Sequence, residues 1–229
     1  MTWLWSNFDL VWGLTLTHIG LSVVPIVVGF VLSIPIGWLA NRYRLSRGAL
    51  LTICGILYAI PSFPLFVFMP VILGTKILDP TNLIVALSIY ALAVMVRTSA
   101  DAMASVPADV MQSATALGYS TWQRFWAVEL PLAGPVLLAG IRVVSVSTVS
   151  LVSVGALVGV SSLGNLFTDG LQRGFITEVV IGIVGIMLIA LFFDAILLVA
   201  GRFVMPWTTA DRRLRRAQQR ETVRAVTQS

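Results

Sequence analysis

The chain has 229 residues, of which 58% are hydrophobic and 11% are charged. Average soluble proteins carry roughly 25% charged residues, so this composition excludes a water-soluble domain. The net charge of +5 comes from arginines gathered in a few short segments, which indicates membrane orientation rather than nucleic-acid binding. Because Cys54 is the only cysteine, an intrachain disulfide is excluded as well.

Five apolar segments are long enough to be membrane-spanning helices, since a helix needs about 20 residues to cross roughly 30 Å of hydrocarbon. They cover approximately residues 14–40, 49–73, 82–104, 133–160 and 178–204. Prolines interrupt the second segment, and we expect it to be kinked or partly unwound near residues 60–64. The sequence therefore predicts an all-α membrane protein with about five transmembrane helices.

The basic residues mark one side of the membrane. They are Arg42, Arg44 and Arg47 after the first span, Arg124 after the third, and Arg202 with six further arginines after the fifth. The connections on the other side carry only Lys76 and Arg173. The positive-inside rule then places the N-terminus outside and the C-terminus in the cytoplasm. A transmembrane domain, residues 1–205, precedes a cytoplasmic basic tail, residues 206–229, which we expect either to lie on anionic headgroups or to be disordered.

The segment between Pro107 and Pro131 is too polar to span a membrane, and this topology places it in the cytoplasm. Gly118 permits a turn that a side chain would obstruct, and Trp122 and Trp126, four residues apart, share a helical face. Pro131 is expected to end the cytoplasmic helix where the next span begins. Two interpretations stay open: a helix that docks a soluble partner, or an interfacial helix whose aromatic residues lie at headgroup depth.

The same segment resembles the cytoplasmic loop of bacterial ABC importer permeases. That loop reads Glu-Ala-Ala, three residues, Gly, nine residues, Ile, one residue and Leu-Pro. The matching positions in this chain are Gln112, Ser113, Ala114, Gly118, Val128, Leu130 and Pro131. The glycine and the Leu-Pro pair are identical to the pattern, whereas Gln112 and Ser113 replace Glu and the first Ala, and Val128 replaces Ile.

Flanking stretches narrow the resemblance. They are similar to osmoprotectant permeases, those for glycine betaine, carnitine, choline and related compounds, at residues 34–37, 60–64, 96–112, 130–142 and 163–164. The resemblance covers roughly residues 14–204 of the chain. Val160-Ser-Ser-Leu-Gly164 replaces the family's Gly-Ala-Gly-Gly-Leu-Gly, and the fourth span is unusually rich in hydroxyl groups. These departures leave the substrate open.

The resemblance implies a type I ABC importer permease fold with a cytoplasmic coupling helix. It implies that the chain is the membrane-spanning subunit of an ATP-driven importer for a small compatible solute, such as glycine betaine, carnitine, choline or proline. The implied partners are cytoplasmic ATPase subunits, a second permease subunit and an extracytoplasmic binding protein that delivers the solute. The residues implied in ATPase coupling are Gln112, Ser113, Ala114, Gly118, Trp122, Gln123, Leu130 and Pro131.

The chain carries no nucleotide-binding fingerprint. His18 is its only histidine, which excludes a histidine-based metal cluster. We therefore expect a transport subunit without catalytic residues or a cofactor of its own, with ATP bound and hydrolysed on a partner subunit.

Charged and hydroxyl side chains inside the spans are candidates for the translocation path or for gating. The four-residue spacing of Arg97 and Asp101 predicts an ion pair. Asp194 lies deep in the fifth span, and we expect it to face a second permease subunit or a wet cavity, or to bond to a neighbouring helix. Ser147 and Ser150 belong to a hydroxyl-rich run that either packs helices together or lines the path of a zwitterion.

Three other functions stay open on the sequence alone. The first is an importer permease for a different small solute, such as methionine, with the same cytoplasmic loop. The second is a channel or ion-coupled carrier that needs no ATPase, although no inverted repeat is visible in the sequence. The third is a membrane scaffold without transport activity.

Overall fold

The computed structural model describes residues 2–207, the side chains of residues 2 and 44–46 excepted. Most of the predicted basic tail, residues 208–229, lies outside the described residues. In the described part the regular structure is helical. The α-helices are α1 Thr2–Ser6, α2 Phe8–Arg42, α3 Arg44–Ala59, α4 Ser62–Leu73, α5 Pro80–Ala104, α6 Ala108–Ala116, α7 Thr121–Arg124, α8 Leu130–Val152, α9 Asn165–Gln172 and α10 Ile176–Val204.

Four helical segments of the described chain are long and apolar enough to cross a membrane. They are α2, α5, the continuous stretch from Thr121 to Val158 that contains α8, and α10. Helices α3 and α4 meet at an angle of 100°, and they add a fifth span if the bent pair counts as one. The prediction of an all-α protein with about five spans is therefore confirmed, with the second span broken.

The break in the second span lies at Ile60 and Pro61, inside the predicted interval. Proline forces the preceding residue away from the helical conformation, and Ile60 accordingly has an extended backbone with φ −63° and ψ 127°. The hydroxyl group of Tyr90 in α5 donates a hydrogen bond to the carbonyl of Ile60. A neighbouring helix thus satisfies the backbone oxygen that the break leaves free.

Helices α2 and α5 pack closely because small residues line their contact. A Cβ atom added to Gly29 would lie 2.6 Å from the Cβ of Ala91, and one added to Gly37 would lie 2.5 Å from the Cβ of Ser99. Between these two contacts the Ser99 hydroxyl donates a hydrogen bond of 3.0 Å to the Ser33 hydroxyl. Larger side chains at these glycines would separate the two spans.

The bundle has two chemically different ends. We call the end that carries Arg42, Arg47, Arg124 and Arg202 the arginine-rich end. The opposite end contains the connections 74–79 and 159–175. There Asp79 caps α5 by accepting a hydrogen bond of 2.9 Å from the backbone of Thr81, and hydrogen bonding from Thr81 holds the pKa of Asp79 below its usual value.

Helix α7 continues into α8, contrary to the prediction that Pro131 ends the cytoplasmic helix. The two helices are joined by a π-helical turn, Phe125–Glu129, in which the backbone N–H of Leu130 donates to the carbonyl of Phe125 five residues earlier. A wider turn relieves the contact between a proline ring and the carbonyl four residues before it. Pro131 is accordingly the second residue of α8, where a missing N–H is tolerated.

Candidate functional site

Residues 107–131, the coupling segment, form a compact structure at the arginine-rich end. Helix α6 begins after Pro107, whose backbone is extended, and ends at Ala116, with Leu117 as its C-cap. Gly118 has a φ of +83°, a left-handed conformation that strongly favours glycine. The turn that the sequence predicted at this position is therefore confirmed, and it separates α6 from α7.

Gln123, predicted as a docking residue, closes the turn after Gly118. Its side-chain oxygen accepts a hydrogen bond of 2.9 Å from the backbone of Ser120, and the Ser120 hydroxyl accepts one of 3.3 Å from the backbone of Gln123. This reciprocal capping box satisfies N–H groups that would be unpaired at the start of α7. Gln123 is also exposed, so it both fixes the turn and presents its edge to solvent.

Aromatic side chains cover the outer surface of the coupling segment. Trp122 is 62% exposed and Trp126 is 53% exposed, and their ring centroids lie 5.6 Å apart in an edge-to-face arrangement. They border an open groove of about 550 Å³. The residues that line it are Leu117, Gly118, Tyr119, Trp122, Gln123, Trp126 and Ala127. A groove of this kind at a polar end of the bundle offers apolar surface to another protein.

The residues matched to the Glu-Ala-Ala part of the pattern do not all face outward. Gln112 and Ser113 are exposed, whereas Ala114 is buried inside the chain with 6% of its surface accessible. Ala114 therefore faces the interior of the chain and leaves almost none of its surface accessible to a partner. Leu130 and Pro131 are half-buried at the junction with α8.

Glu129, near the end of the coupling segment, points into the protein and is only 7% exposed. The indole Nε1 of Trp38 in α2 donates a hydrogen bond of 3.1 Å to its Oε2. The Nε of Arg124 donates one of 3.3 Å to its Oε1. Because a buried carboxylate is costly unless it is paired and hydrogen-bonded, these two donors fix the position of Glu129.

The partners of Glu129 extend the network to further elements. The Nη1 of Arg124 donates a hydrogen bond of 2.8 Å to the hydroxyl of Thr115 in α6. The Trp38 ring packs against Phe125 with a centroid distance of 5.3 Å, and the Arg42 guanidinium lies 5.7 Å from the Trp38 centroid, a cation–π contact. Helices α2 and α6 are thus joined to the start of α8 through one carboxylate.

The predicted ion pair between Arg97 and Asp101 is wrong. Asp101 instead accepts a hydrogen bond of 3.0 Å from Arg47 in α3. Among the described residues Arg97 makes no ion pair, and its side chain is exposed. The spacing placed the two side chains near each other along α5, but the tertiary structure offers Asp101 an arginine from the neighbouring helix.

Asp194 in α10 is bonded to a neighbouring helix, the last of the environments that the sequence left open. The Nε and Nη2 of Arg142 in α8 donate hydrogen bonds of 2.6 and 2.9 Å to its two carboxylate oxygens. At a rise of about 1.5 Å per residue, Arg142 lies about 18 Å from Leu130 and Asp194 about 15 Å from Val204. This bidentate pair therefore lies near the middle of a hydrocarbon layer.

The hydroxyl groups of α8 divide between two faces. Ser147 and Ser150 are exposed in this single chain, while Ser145 and Thr148 are buried. Among the described residues the Ser145 hydroxyl has no hydrogen-bond partner. Helix packing accounts for the buried pair, and Ser147 and Ser150 are free to line a path or an interface.

A second buried glutamate lies at the opposite end of the bundle. Glu178, at the start of α10, is 1% exposed, and the Nη2 of Arg173 donates hydrogen bonds of 2.7 and 2.5 Å to its two oxygens. In the described part of the chain, no three His, Cys, Asp or Glu side chains are grouped closely enough to hold a metal ion. The two buried glutamates, Glu129 and Glu178, are thus each paired with an arginine.

The family described as binding-protein-dependent transport system inner membrane component matches residues 29–209 of the chain. The chain belongs to this family. The match includes the whole coupling segment, the Arg142–Asp194 pair and helices α3 to α10. The permease is therefore a multi-pass membrane component of a transport system.

Individual relatives of the permease agree with the family match. The glycine betaine/carnitine/choline transport system permease protein OpuCB of Bacillus subtilis is 26% identical over 206 residues, which are 90% of this chain and 94% of that protein. The osmoprotectant import permease protein OsmY of Salmonella typhimurium is 31% identical over 193 residues, 83% of this chain and 80% of that protein. Both relatives are permease subunits.

The fold of the permease is that of a type I ABC importer. The inward-facing structure of the MetNI methionine ABC transporter superposes with a TM-score of 0.70 and 24% identity, covering 88% of this chain and 97% of that one. A likeness at this identity establishes the architecture and carries no information on the substrate. The predicted fold class is confirmed.

The coupling segment of the permease could be predicted from the sequence, but the buried Glu129 that connects it to α2 could not. Glu129 was visible only as a polar residue just before Leu130 and Pro131. Its role depends on Trp38, which lies 91 residues earlier in the chain. The one available signal was a carboxylate at the boundary of an apolar span, where a charge needs a partner.

Proposed function

We propose that the permease imports a small osmoprotectant, a compatible solute such as glycine betaine, carnitine, choline or proline. An extracytoplasmic binding protein delivers the solute, and ATP hydrolysis on a separate subunit drives its translocation. The names of the relatives support the class of solute. The observation that carries the mechanism is the coupling segment, an exposed aromatic groove joined by hydrogen bonds to the spans behind it.

The ATPase docks on the outer surface of the coupling segment. Gln112, Ser113 and Trp122 contact it directly because they are exposed, and the left-handed Gly118 sets the angle at which they are presented. Gln123 holds this turn through its capping box. The permease needs no cofactor of its own in this mechanism, since ATP stays on the partner.

The orientation follows from the distribution of charge. The arginine-rich end faces the cytoplasm, where the positive-inside rule places basic connections, and the N-terminus lies outside. Two permease subunits, identical or paralogous, enclose one path in the cell membrane. Two subunits are needed because the four or five spans in the described part of one chain are too few to surround a solute. Each permease subunit then binds one ATPase subunit.

Polar groups inside the spans line or gate this path. Arg142 and Asp194 lie at the depth where transporters hold their substrates, and Ser147 and Ser150 are exposed on the same helix as Arg142. Arg97 and the exposed Arg47–Asp101 pair lie at the cytoplasmic mouth. An exposed pair of this kind contributes little to stability, so it is free to open and close.

Transport by purified components tests the proposal. The permease is reconstituted in liposomes with its candidate ATPase and binding protein, and uptake of labelled glycine betaine, choline and methionine is measured. We expect uptake of at least one osmoprotectant that requires ATP and the binding protein, and none of methionine. An ATPase variant that binds but does not hydrolyse ATP is the matched control, and it should give no uptake.

Each alternative function gives a different result in this assay. Uptake of methionine instead of an osmoprotectant would assign the permease to another small solute. Uptake without the ATPase would show a channel or carrier. No uptake of any solute by an assembled complex, together with unchanged solute uptake in a deletion strain, would point to a scaffold; each of these results contradicts the proposal.

A further inference from the structure

We infer that Glu129 is a positioning residue that transmits movement of the coupling segment to the first span, α2, through Trp38. The inference rests on the proposed function, because it assigns a route for the force that an ATPase applies to the coupling segment. It goes beyond docking because the Glu129 side chain is on the inward side of the coupling segment and not on its exposed docking surface. Only 7% of its surface is accessible.

The contacts of Glu129 connect three separate elements. Glu129 itself belongs to the π-helical turn between α7 and α8. Its partner Trp38 belongs to α2, and its partner Arg124 is hydrogen-bonded to Thr115 in α6. Both carboxylate oxygens are occupied, one by each donor. Since a buried carboxylate keeps its partners to avoid a large desolvation cost, displacement of one element displaces the others.

The π-helical turn sets the geometry of this connection. It adds one residue to the backbone turn, and both Phe125 and Glu129 point into the protein, with 4% and 7% of their surfaces accessible. Phe125 packs on the same Trp38 ring that donates to Glu129. The indole is therefore held by a ring contact and by a hydrogen bond from one turn, which fixes its position in two directions.

The first span is suited to carry the movement further. Gly29 and Gly37 pack α2 against the backbone and Cβ atoms of α5, which cannot yield as long side chains can, and the Ser33 and Ser99 hydroxyl groups are hydrogen-bonded between them. Close-packed interfaces of this kind move as rigid units rather than deforming. A displacement at Trp38, one residue beyond Gly37, therefore shifts α2 and α5 together.

The test compares two buried glutamates that have the same kind of arginine partner. Glu129→Gln keeps the shape of the side chain and removes its charge, and Glu178→Gln makes the same change at the opposite end. Solute uptake and ATP hydrolysis are measured in the same liposomes, normalised to the ATPase that co-purifies with the permease. The readout is solute transported per ATP hydrolysed, which a loss of stability alone does not change.

We expect Glu129→Gln to lower this ratio about tenfold, the factor equivalent to about 1.4 kcal/mol and close to that of a hydrogen bond to a charged group. Glu178→Gln should leave the ratio unchanged. Trp38→Phe keeps the ring contact with Phe125 and removes only the N–H donor, so it should lower the ratio similarly. This variant tests the inference if Glu129→Gln transporters fail to assemble. The double variant that combines Glu129→Gln and Trp38→Phe should have a ratio no lower than that of the more affected single variant.

The inference is overturned if assembled Glu129→Gln or Trp38→Phe transporters keep the wild-type ratio. It is also overturned if Glu178→Gln lowers the ratio as much as Glu129→Gln. Failure of the proposed function looks different, because the wild-type permease itself would then show no ATP-driven uptake.

Discussion

The two ends of the bundle each carry a buried glutamate bound to an arginine five residues earlier in the chain. At the arginine-rich end Arg124 binds Glu129, and at the opposite end Arg173 binds Glu178. Each glutamate lies where a spanning helix begins, next to α8 in one case and in the first turn of α10 in the other. The same local arrangement thus occurs once on each side of the membrane.

The surroundings of the two pairs differ. Glu129 also accepts a hydrogen bond from Trp38 in α2, and Arg124 continues to Thr115 in α6. In the described part of the chain Arg173 is the only side chain bonded to Glu178. One pair therefore closes a local turn, while the other connects separate helices. This difference supports our proposal that a partner moves the spans from the arginine-rich end.

The pair within the membrane extends the comparison and gives the largest expected effect. Asp194→Leu removes the partner of Arg142 and leaves an unpaired charge near the middle of the hydrocarbon layer. We expect the amount of folded permease to fall severalfold, measured as the monodisperse fraction in size-exclusion chromatography after solubilisation.

The matched control is the double variant with leucine at both positions. It carries no unpaired charge, and it should recover most of the folded protein, since apolar replacement of a whole buried pair is often tolerated. A single variant that folds as well as wild type, or a double variant that folds no better than the single one, would contradict this role.

Removal of each arginine sharpens the comparison between the two ends. Arg173→Ala leaves Glu178 buried without a side-chain partner, and we expect the free energy of unfolding to fall by about 3 kcal/mol. Arg124→Ala should cost less, because Trp38 still donates to Glu129. Thermal unfolding in detergent measures both, with Arg173→Lys as a control that keeps the charge. Equal losses, or the reverse order, would show that Trp38 does not support Glu129.

The smallest effect comes from two glycines in left-handed turns near these pairs. Gly118 has φ +83° and Gly174 has φ +65°, and an added Cβ meets no atom within 4 Å at either position. Alanine at each should therefore cost only the backbone strain, about 1 kcal/mol. Only Gly118→Ala should also lower solute uptake per ATP, because it alters the angle of the coupling segment. A similar decrease for Gly174→Ala would remove the functional distinction between the two turns.

The features of the fold that depend on local chemistry could be predicted from the sequence. The length of the apolar segments predicted the spans, and the two prolines that follow Ile60 predicted the break in the second span. Gly118 gave the turn in the coupling segment, since its conformation is a property of one residue. These predictions needed no knowledge of which helices are neighbours.

The features that depend on tertiary neighbours could not be predicted. Asp101 lies one turn from Arg97, yet it binds Arg47 from α3. The helix continues past Pro131 because a π-helical turn, which contains one residue more than an α-helical turn, precedes it. The local sequence pattern does not predict this wider turn. Ala114 matches the family pattern but is buried in the chain, because the pattern does not say which face of α6 meets the bundle.

Crosslinking from two matched positions tests most directly that an ATPase acts at the arginine-rich end. Two variants are made in a chain whose own cysteine is removed by Cys54→Ala. One carries Leu117→Cys at the arginine-rich end and the other carries Leu171→Cys at the opposite end, and the two positions are 77% and 74% exposed. A short thiol-to-amine crosslinker is added to the assembled transporter. We predict an adduct with the ATPase from Leu117→Cys and none from Leu171→Cys. An adduct from Leu171→Cys, or none from Leu117→Cys in a transporter that still performs ATP-driven uptake, would contradict the account.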